Sequence, residues 1–219
     1  AVYIASCLVL FRVPTGISEA ANAGMARQVR GSMFVEIGRG LSYAARDAQL
    51  RMLFAMLFIV TFFAMPYVML LAGFVHEDLG RGDGAFSALQ SATGAGALIG
   101  AIGIATLTEF ERKPLLQWFC GLLGGLSLVV LAVSGSFGFA GALAATVVLG
   151  FAFTAYQTLN NTMVMDVARP EYYGRVMSIN MLTFSVMPIM AYPLGALADR
   201  IGAETTFTAM GLVVVGFLV

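Results

Sequence analysis

The chain has 219 residues, 59% of them hydrophobic and 11% charged, with a mean hydropathy of +0.88 and no net charge. Soluble domains carry about a quarter charged residues, so a fold of this size cannot hide so much apolar surface from water, and lipid must be its solvent. Zero net charge argues against a nucleic-acid partner, and one histidine without an HExxH, GxSxG or Walker A pattern leaves an enzyme almost nothing to work with.

Residues 1–12, AVYIASCLVLFR, place Arg12 after an apolar run, whereas a signal peptide carries its charge before one. They read as the end of a truncated spanning helix. Residues 13–32 are small, polar and basic, and read as a flexible linker. Residues 33–48 put Phe34, Ile37, Leu41 and Ala45 on one helical face and Glu36, Arg39 and Arg46 elsewhere. That pattern predicts a weakly amphipathic helix at the membrane surface, so residues 13–50 form one connecting loop. Cys7 and Cys120 both lie in apolar runs and read as small core residues, not as a disulfide or metal pair.

Spans follow from residue 51 to the end. Residues 52–75 are uncharged, with Pro66 as an expected kink. Residues 84–108 form a second uncharged run. Pro114 to Met165 is 52 residues without charge, far beyond the roughly 20 of one span. Its SGSFG break at 134–138 predicts two spans, 114–134 and 138–165, joined by a tight hairpin. The fifth span is 176–198, with Pro188 and Pro193, and 204–219 begins a sixth that the sequence truncates. The fold class is therefore all-α, a polytopic transmembrane bundle.

Orientation follows from the basic residues. With these spans, ten of the twelve lie on one side, and only Arg81 and Arg200 on the other. The long loop, EFERKP and ARPEYYGR are then cytoplasmic.

Helix faces suggest roles. Gly96 and Gly100 form a GxxxG pair that lets another helix approach closely, with Gly103 on the same face. Gln90 lies on a different face and is a cavity candidate. The run 115–133 is apolar nearly all round and suits a peripheral, lipid-facing helix. The next span is its opposite: Gln157 and Asn160 share a face, with Tyr156 and Asn161 on its flanks. Amides at this density suggest a polar pathway, and gluing helices together is the plainer alternative. Phe63, Tyr67 and Asn180 are weaker candidates for the same cavity. No carboxylate or histidine lies deep in a span, so a proton-coupling group is expected elsewhere. GRGD at 80–83 lacks the second intramembrane aspartate of an aspartyl protease. The sequon Asn160-Asn161-Thr162 falls inside the membrane, out of reach of modification.

The segment ARPEYYGRVMSI, carried by Pro170, Glu171, Gly174, Arg175, Val176, Met177 and Ser178, resembles a motif of the major facilitator superfamily, in the branch of the enterobactin exporter and multidrug efflux proteins. LNNT at 159–162, PLGALADRIG at 193–202 and RGLSYAARDAQLR at 39–51 are similar to the same proteins. The resemblance implies a six-helix C-terminal half plus the end of the sixth helix, with the long loop joining two halves and the Gln157 helix in the tenth, cavity-lining position. The loop motif expected after the eighth span appears here as GIATLTEFERK, with altered spacing.

It implies further a multi-pass protein of the plasma (bacterial inner) membrane, a secondary active transporter and not an enzyme. Such a protein works by alternating access and exports an amphipathic small organic compound, drug-like or siderophore-like. Tyr156, Gln157, Asn160, Asn161, Gln90, Tyr67, Phe63 and Asn180 would bind substrate. Asp166, Arg169, Glu171, Arg175, Glu109, Arg112 and Lys113 would form a cytoplasmic gate. Its partners would be the substrate, the bilayer, the N-terminal half of the same transporter, and protons as coupling ion in an antiporter. No metal or other cofactor is expected. The rival reading is a non-transporting membrane scaffold or receptor on the same bundle.

Overall fold

The computed structural model describes residues 33–107 and 112–219, and the side chains of residues 33–37, 39, 135–137 and 186 are not described. The expectations for residues 1–32, including the cut span, the linker and Cys7, and the gate role of Glu109 lie outside the described residues.

Helix α1 spans Met33–Arg46 and ends at Asp47. Asp47 takes extended dihedrals, and its carboxylate accepts from the Gln49 and Leu50 amides at 2.9 and 3.2 Å. This N-cap satisfies donors that the first turn leaves unpaired. It starts α2 (Ala48–Ile59) one turn before the uncharged run. Pro66 is an interruption of a particular kind. Its ring crowds the carbonyl four residues back, and it has no N–H to donate. The chain answers with a π-turn over Val60–Ala64, in which Met65 N–H donates to the Val60 carbonyl at 3.3 Å. Helix α3 (Tyr67–Glu77) then completes one span, Ala48–Glu77.

Helix α4 is Asp83–Thr106 and α5 is Lys113–Phe137, with Pro114 in its first turn, where a missing N–H costs nothing. Gly138, at φ +73°, makes the sharp break before α6 (Phe139–Val167). A 3-10 turn at Pro170–Tyr172 leads into α7 (Tyr173–Ile201), and Gly202, at φ +86°, separates it from α8 (Ala203–Leu218). Among the described residues, five helical segments are long and apolar enough to cross a membrane, and α8 is a shorter apolar helix. The fold is an all-α polytopic bundle.

Helix α6 sits at its centre, against α4 on one side and α5 on the other, with α8 behind α5. Glycines set these distances. A Cβ on Gly96 would lie 1.9 Å from the Val147 carbonyl oxygen, and one on Gly150 would lie 2.0 Å from that of Thr93. The α4–α6 backbones thus touch, as the GxxxG pair leads one to expect. A second close crossing was not anticipated: Gly125 and Gly211 bring α5 and α8 together, each facing the other's carbonyl. Helix α5 therefore departs from a uniform apolar rod. Gly121, Gly124 and Gly125 seat Tyr156, Phe153 and α8, while Leu115, Phe119, Leu126 and Val130 stay exposed on the other side. Cys120 is buried in the main core with Leu128, Leu149, Tyr156, Phe207 and Met210.

The face of α1 also differs from its periodicity. Gly40 and Ala44 are buried against the start of α7, where Gly40 meets Arg175 and Ile179, while Leu41 and Ala45 are exposed. Glycine and alanine permit the closer approach, so they win the protein contact and leave the larger Leu41 to the surroundings.

Candidate functional site

The polar residues of α6 fall into a layer that joins three helices. Asn160 is fully buried, and its Nδ2 donates to the Leu53 carbonyl of α2 at 3.1 Å. Asn161, half-buried, accepts a hydrogen bond through Oδ1 from Nδ2 of the buried Asn180 on α7. Side-chain amides therefore tie α6 to α2 and to α7, at about 10 Å from the C-terminal end of α6. The Asn160 Oδ1 remains without a partner.

Tyr156 takes another direction. Its ring packs over Gly121, and its hydroxyl lies beside the Gln117 amide of α5. Neither the Tyr156 hydroxyl nor the Gln117 Nε2 makes a hydrogen bond of good geometry. Tyr67 is 2% exposed, with its ring 6.1 Å from that of Phe153 and its hydroxyl beside Thr93, at the junction of α3, α4 and α6. Phe63 packs, half-buried, on the main core. Gln90 and Gln157 are half-buried. The eight sequence candidates thus divide. Tyr156, Tyr67, Asn160 and Asn180 are enclosed by neighbouring helices in this conformation, and Gln157, Asn161, Gln90 and Phe63 keep accessible surface.

The end of the bundle where α5 starts and α6 finishes holds the charged candidates. Lys113 Nζ lies 2.6 Å from Asp166 Oδ2 and joins the start of α5 to the end of α6. Arg112 is the N-cap residue of α5. Arg169 donates its backbone N–H to the Tyr43 hydroxyl at 3.2 Å. The Tyr43 ring stacks on Tyr172, with centroids 4.1 Å apart and planes 10° from parallel, and the Arg175 guanidinium lies 5.2 Å above Tyr172. Glu171 is exposed in the same turn. Sequence reasoning missed Tyr43 and Tyr172. The available signal was a set of tyrosines in otherwise polar stretches, where an aromatic ring needs a partner.

At the opposite end, His76 Nε2 lies 3.2 Å from Asp83 Oδ1, and Arg81 lies 4.7 Å over the Phe139 ring. Partial burial, aided by Glu204 and Glu77, pushes the Asp78 carboxyl above its ordinary value. Among the described residues no group of three or more His, Cys, Asp or Glu could hold a metal. Among the described residues, the polar side chains inside the bundle are neutral hydrogen-bonding groups.

The model of the Major Facilitator Superfamily matches residues 1–192. Two curated proteins, each a Macrolide efflux protein A, one from Streptococcus pyogenes and one from its serotype M6, are 26% identical over 171 residues. The match covers 74% of this chain and 41% of each relative, so the chain spans about two-fifths of their length. No solved structure matches the chain.

Proposed function

We propose a transport function from one premise: the chain belongs to the major facilitator superfamily, a family of membrane transporters and not of enzymes. On this reading the chain is one half of a secondary active transporter that exports an amphipathic organic compound by alternating access. Export is supported by the relatives' name and by the likeness of the Pro170–Ser178 segment to efflux proteins. The enterobactin-exporter branch and a plasma-membrane location belong to the same proposal.

The observation that carries the reading is the amide layer of α6. A helix at the centre of a membrane bundle keeps Gln157, Asn160 and Asn161 within about two turns of each other, and two of them bond to other helices. Polar side chains inside the membrane are costly and are retained where they act. Gln157 and Asn161, with accessible surface, would bind substrate, helped by Gln90 and Phe63. Asn160, Tyr156, Tyr67 and Asn180 would join that lining in a conformation that separates the helices.

The cytoplasmic contacts complete the mechanism. Lys113–Asp166, the Tyr43–Tyr172 stack and the Arg169–Tyr43 bond hold α1, α5, α6 and the turn before α7 together. Opening on that side would have to loosen them. Helix α2–α3 has the means to flex, because a π-turn supplies a ready change of register beside Pro66. A proton-coupling carboxylate would sit in the other half of the transporter.

Efflux of a fluorescent amphipathic dye from cells expressing the whole transporter tests this. Gln157→Leu with Asn161→Leu should reduce efflux at least ten-fold while leaving the protein in the membrane. Unchanged efflux would favour a scaffold or receptor that does not use the face.

A further inference from the structure

Helix α1 joins a membrane span without a linker. It ends at Arg46, and the span begins at Ala48. Only Asp47 stands between them, so the chain allows the end of α1 no more than about 7 Å from the start of the span. Arg51 marks the same level independently. It sits one turn inside the span, where a charge is expensive to hold, and its Nη1 reaches back to donate to the Ala45 carbonyl at 3.3 Å. The Arg51 guanidinium therefore lies at the end of α1, at the boundary between lipid and water.

The side of α1 turned away from the bundle is free. Gly40 and Ala44 are buried on the start of α7, whereas Leu41, Ser42, Ala45 and Arg46 are exposed. The free face is divided lengthwise. Leu41, 58% exposed, and Ala45 are four residues apart and form an apolar flank. Ser42 and Arg46 are spaced alike and form a polar one. A helix divided in this way and fixed beside a span fits the membrane boundary, with one flank toward acyl chains and the other toward headgroups.

Two cations meet at this corner. Arg46 adjoins Ala45, whose carbonyl holds Arg51. Among the described residues neither arginine is in an ion pair, whereas Lys113 is paired with Asp166. The carboxylate nearest in sequence, Asp47, is taken up by the Gln49 and Leu50 amides that it caps.

We propose that the corner between α1 and α2 is a docking surface for an anionic phospholipid of the bilayer. Arg46 and Arg51 hold the headgroup phosphate, and the Leu41–Ala45 flank lies against the acyl chains. Charge complementarity selects the lipid. A phosphatidylglycerol headgroup keeps its negative charge, whereas phosphatidylcholine brings a cation beside the two arginines. The docking requires the span and is independent of the transport reading.

A local probe tests it in the whole transporter, reconstituted in dioleoylphosphatidylcholine. Leu41→Cys carries a bimane dye in a variant otherwise without reactive thiols, and bromine on lipid chains quenches the dye on contact. Brominated phosphatidylglycerol and brominated phosphatidylcholine are titrated separately at equal mole fractions. Quenching at Leu41 should favour phosphatidylglycerol about twenty-fold, from two basic side chains each contributing about five-fold. Arg46→Gln and Arg51→Gln should each lower that preference about five-fold, and Arg46→Lys should keep most of it. A dye at Leu126→Cys, on the exposed side of α5, should be quenched equally by both lipids in every variant, which also shows that the variants insert.

Equal quenching by the two lipids at Leu41 would overturn the docking surface. So would no quenching by either, which would place water or protein against this face. A preference that neither glutamine variant lowers, or one equally strong at Leu126, would overturn it too.

Discussion

Replacing Gly150 by alanine adds one methyl group at the close α4–α6 crossing. Its Cβ would lie 2.0 Å from the Thr93 carbonyl oxygen, 2.8 Å from the Thr93 carbonyl carbon and 3.0 Å from the Ala97 nitrogen. All three are backbone atoms of α4, so no side chain can turn away. Restoring an ordinary contact of about 3.5 Å requires α4 and α6 to separate by more than 1 Å, which loosens every van der Waals contact along the crossing. Overpacking costs about 1–3 kcal/mol, and a clash with backbone puts this case at about 3 kcal/mol or above. For a chain of this length that is a fall in Tm of roughly 6–12 °C. Gly103→Ala in α4 is the control. There the new Cβ meets only the Phe151 ring, at 3.9 Å, and alanine favours the helix by about 0.5–1 kcal/mol. Thermal unfolding of both variants in one detergent, followed by loss of monomer on a sizing column, reads the difference. A Gly150→Ala protein as stable as wild type, or a Gly103→Ala protein equally damaged, would refute the close crossing.

Further outcomes follow from single contacts. Asn160→Ala removes the bond to the Leu53 carbonyl and leaves a small cavity, so it should cost about 1–2 kcal/mol; denaturant unfolding showing a loss above about 3 kcal/mol would mean that the amide does more than hold two helices. Tyr43→Phe keeps the stack on Tyr172 and loses the acceptor for Arg169, whereas Tyr43→Ala loses both. Cutting after Glu171 by a glutamate-specific protease should therefore rise in the order wild type, Phe, Ala, and equal cutting of all three would exclude this contact. Lys113→Met should change stability by less than about 1 kcal/mol, because the pair with Asp166 is half-exposed, and a double-mutant cycle with Asp166→Asn measures it. The Asp78 carboxyl is held above its ordinary value of 3.8, so the folded state favours its protonated form. That contribution is complete below 3.8 and is lost as pH rises through the folded value. Asp78→Asn should then raise Tm slightly at neutral pH, and the advantage should vanish in acid; an advantage independent of pH would point to packing instead.

Much of the bundle is legible in composition. Each uncharged run became a helix within a few residues of its expected ends, because lipid leaves a backbone only one way to satisfy its own hydrogen bonds along a single span. The hairpin at SGSFG and the Gly96/Gly100 contact were legible for the same kind of reason, since each depends on one residue type whose geometry has few uses. Helix ends moved where side chains outside the apolar runs acted, as when Asp47 capped α2 a turn early.

The candidate site was less legible. That Asn160, Asn161 and Gln157 are unusual could be seen from the sequence, because amides in an apolar run always need an explanation. Their partners could not be seen: the Leu53 carbonyl is 107 residues from Asn160, and Asn180 lies on a different helix from Asn161. Periodicity gives the direction of a side chain but not what lies there. The same limit explains α1, where Gly40 and Ala44 displaced the larger Leu41 because helices approach most closely over small residues. It also explains Tyr43 and Tyr172, whose stack joins stretches that share no pattern.

Sequence alone therefore determined the solvent of this protein, its helical class and the spacing of its spans, because the cost of exposing charge or unpaired backbone to lipid is paid locally. Tertiary structure alone decided which polar groups are tied up between helices and which face α1 leaves open, because those outcomes depend on pairs of residues that only packing brings together.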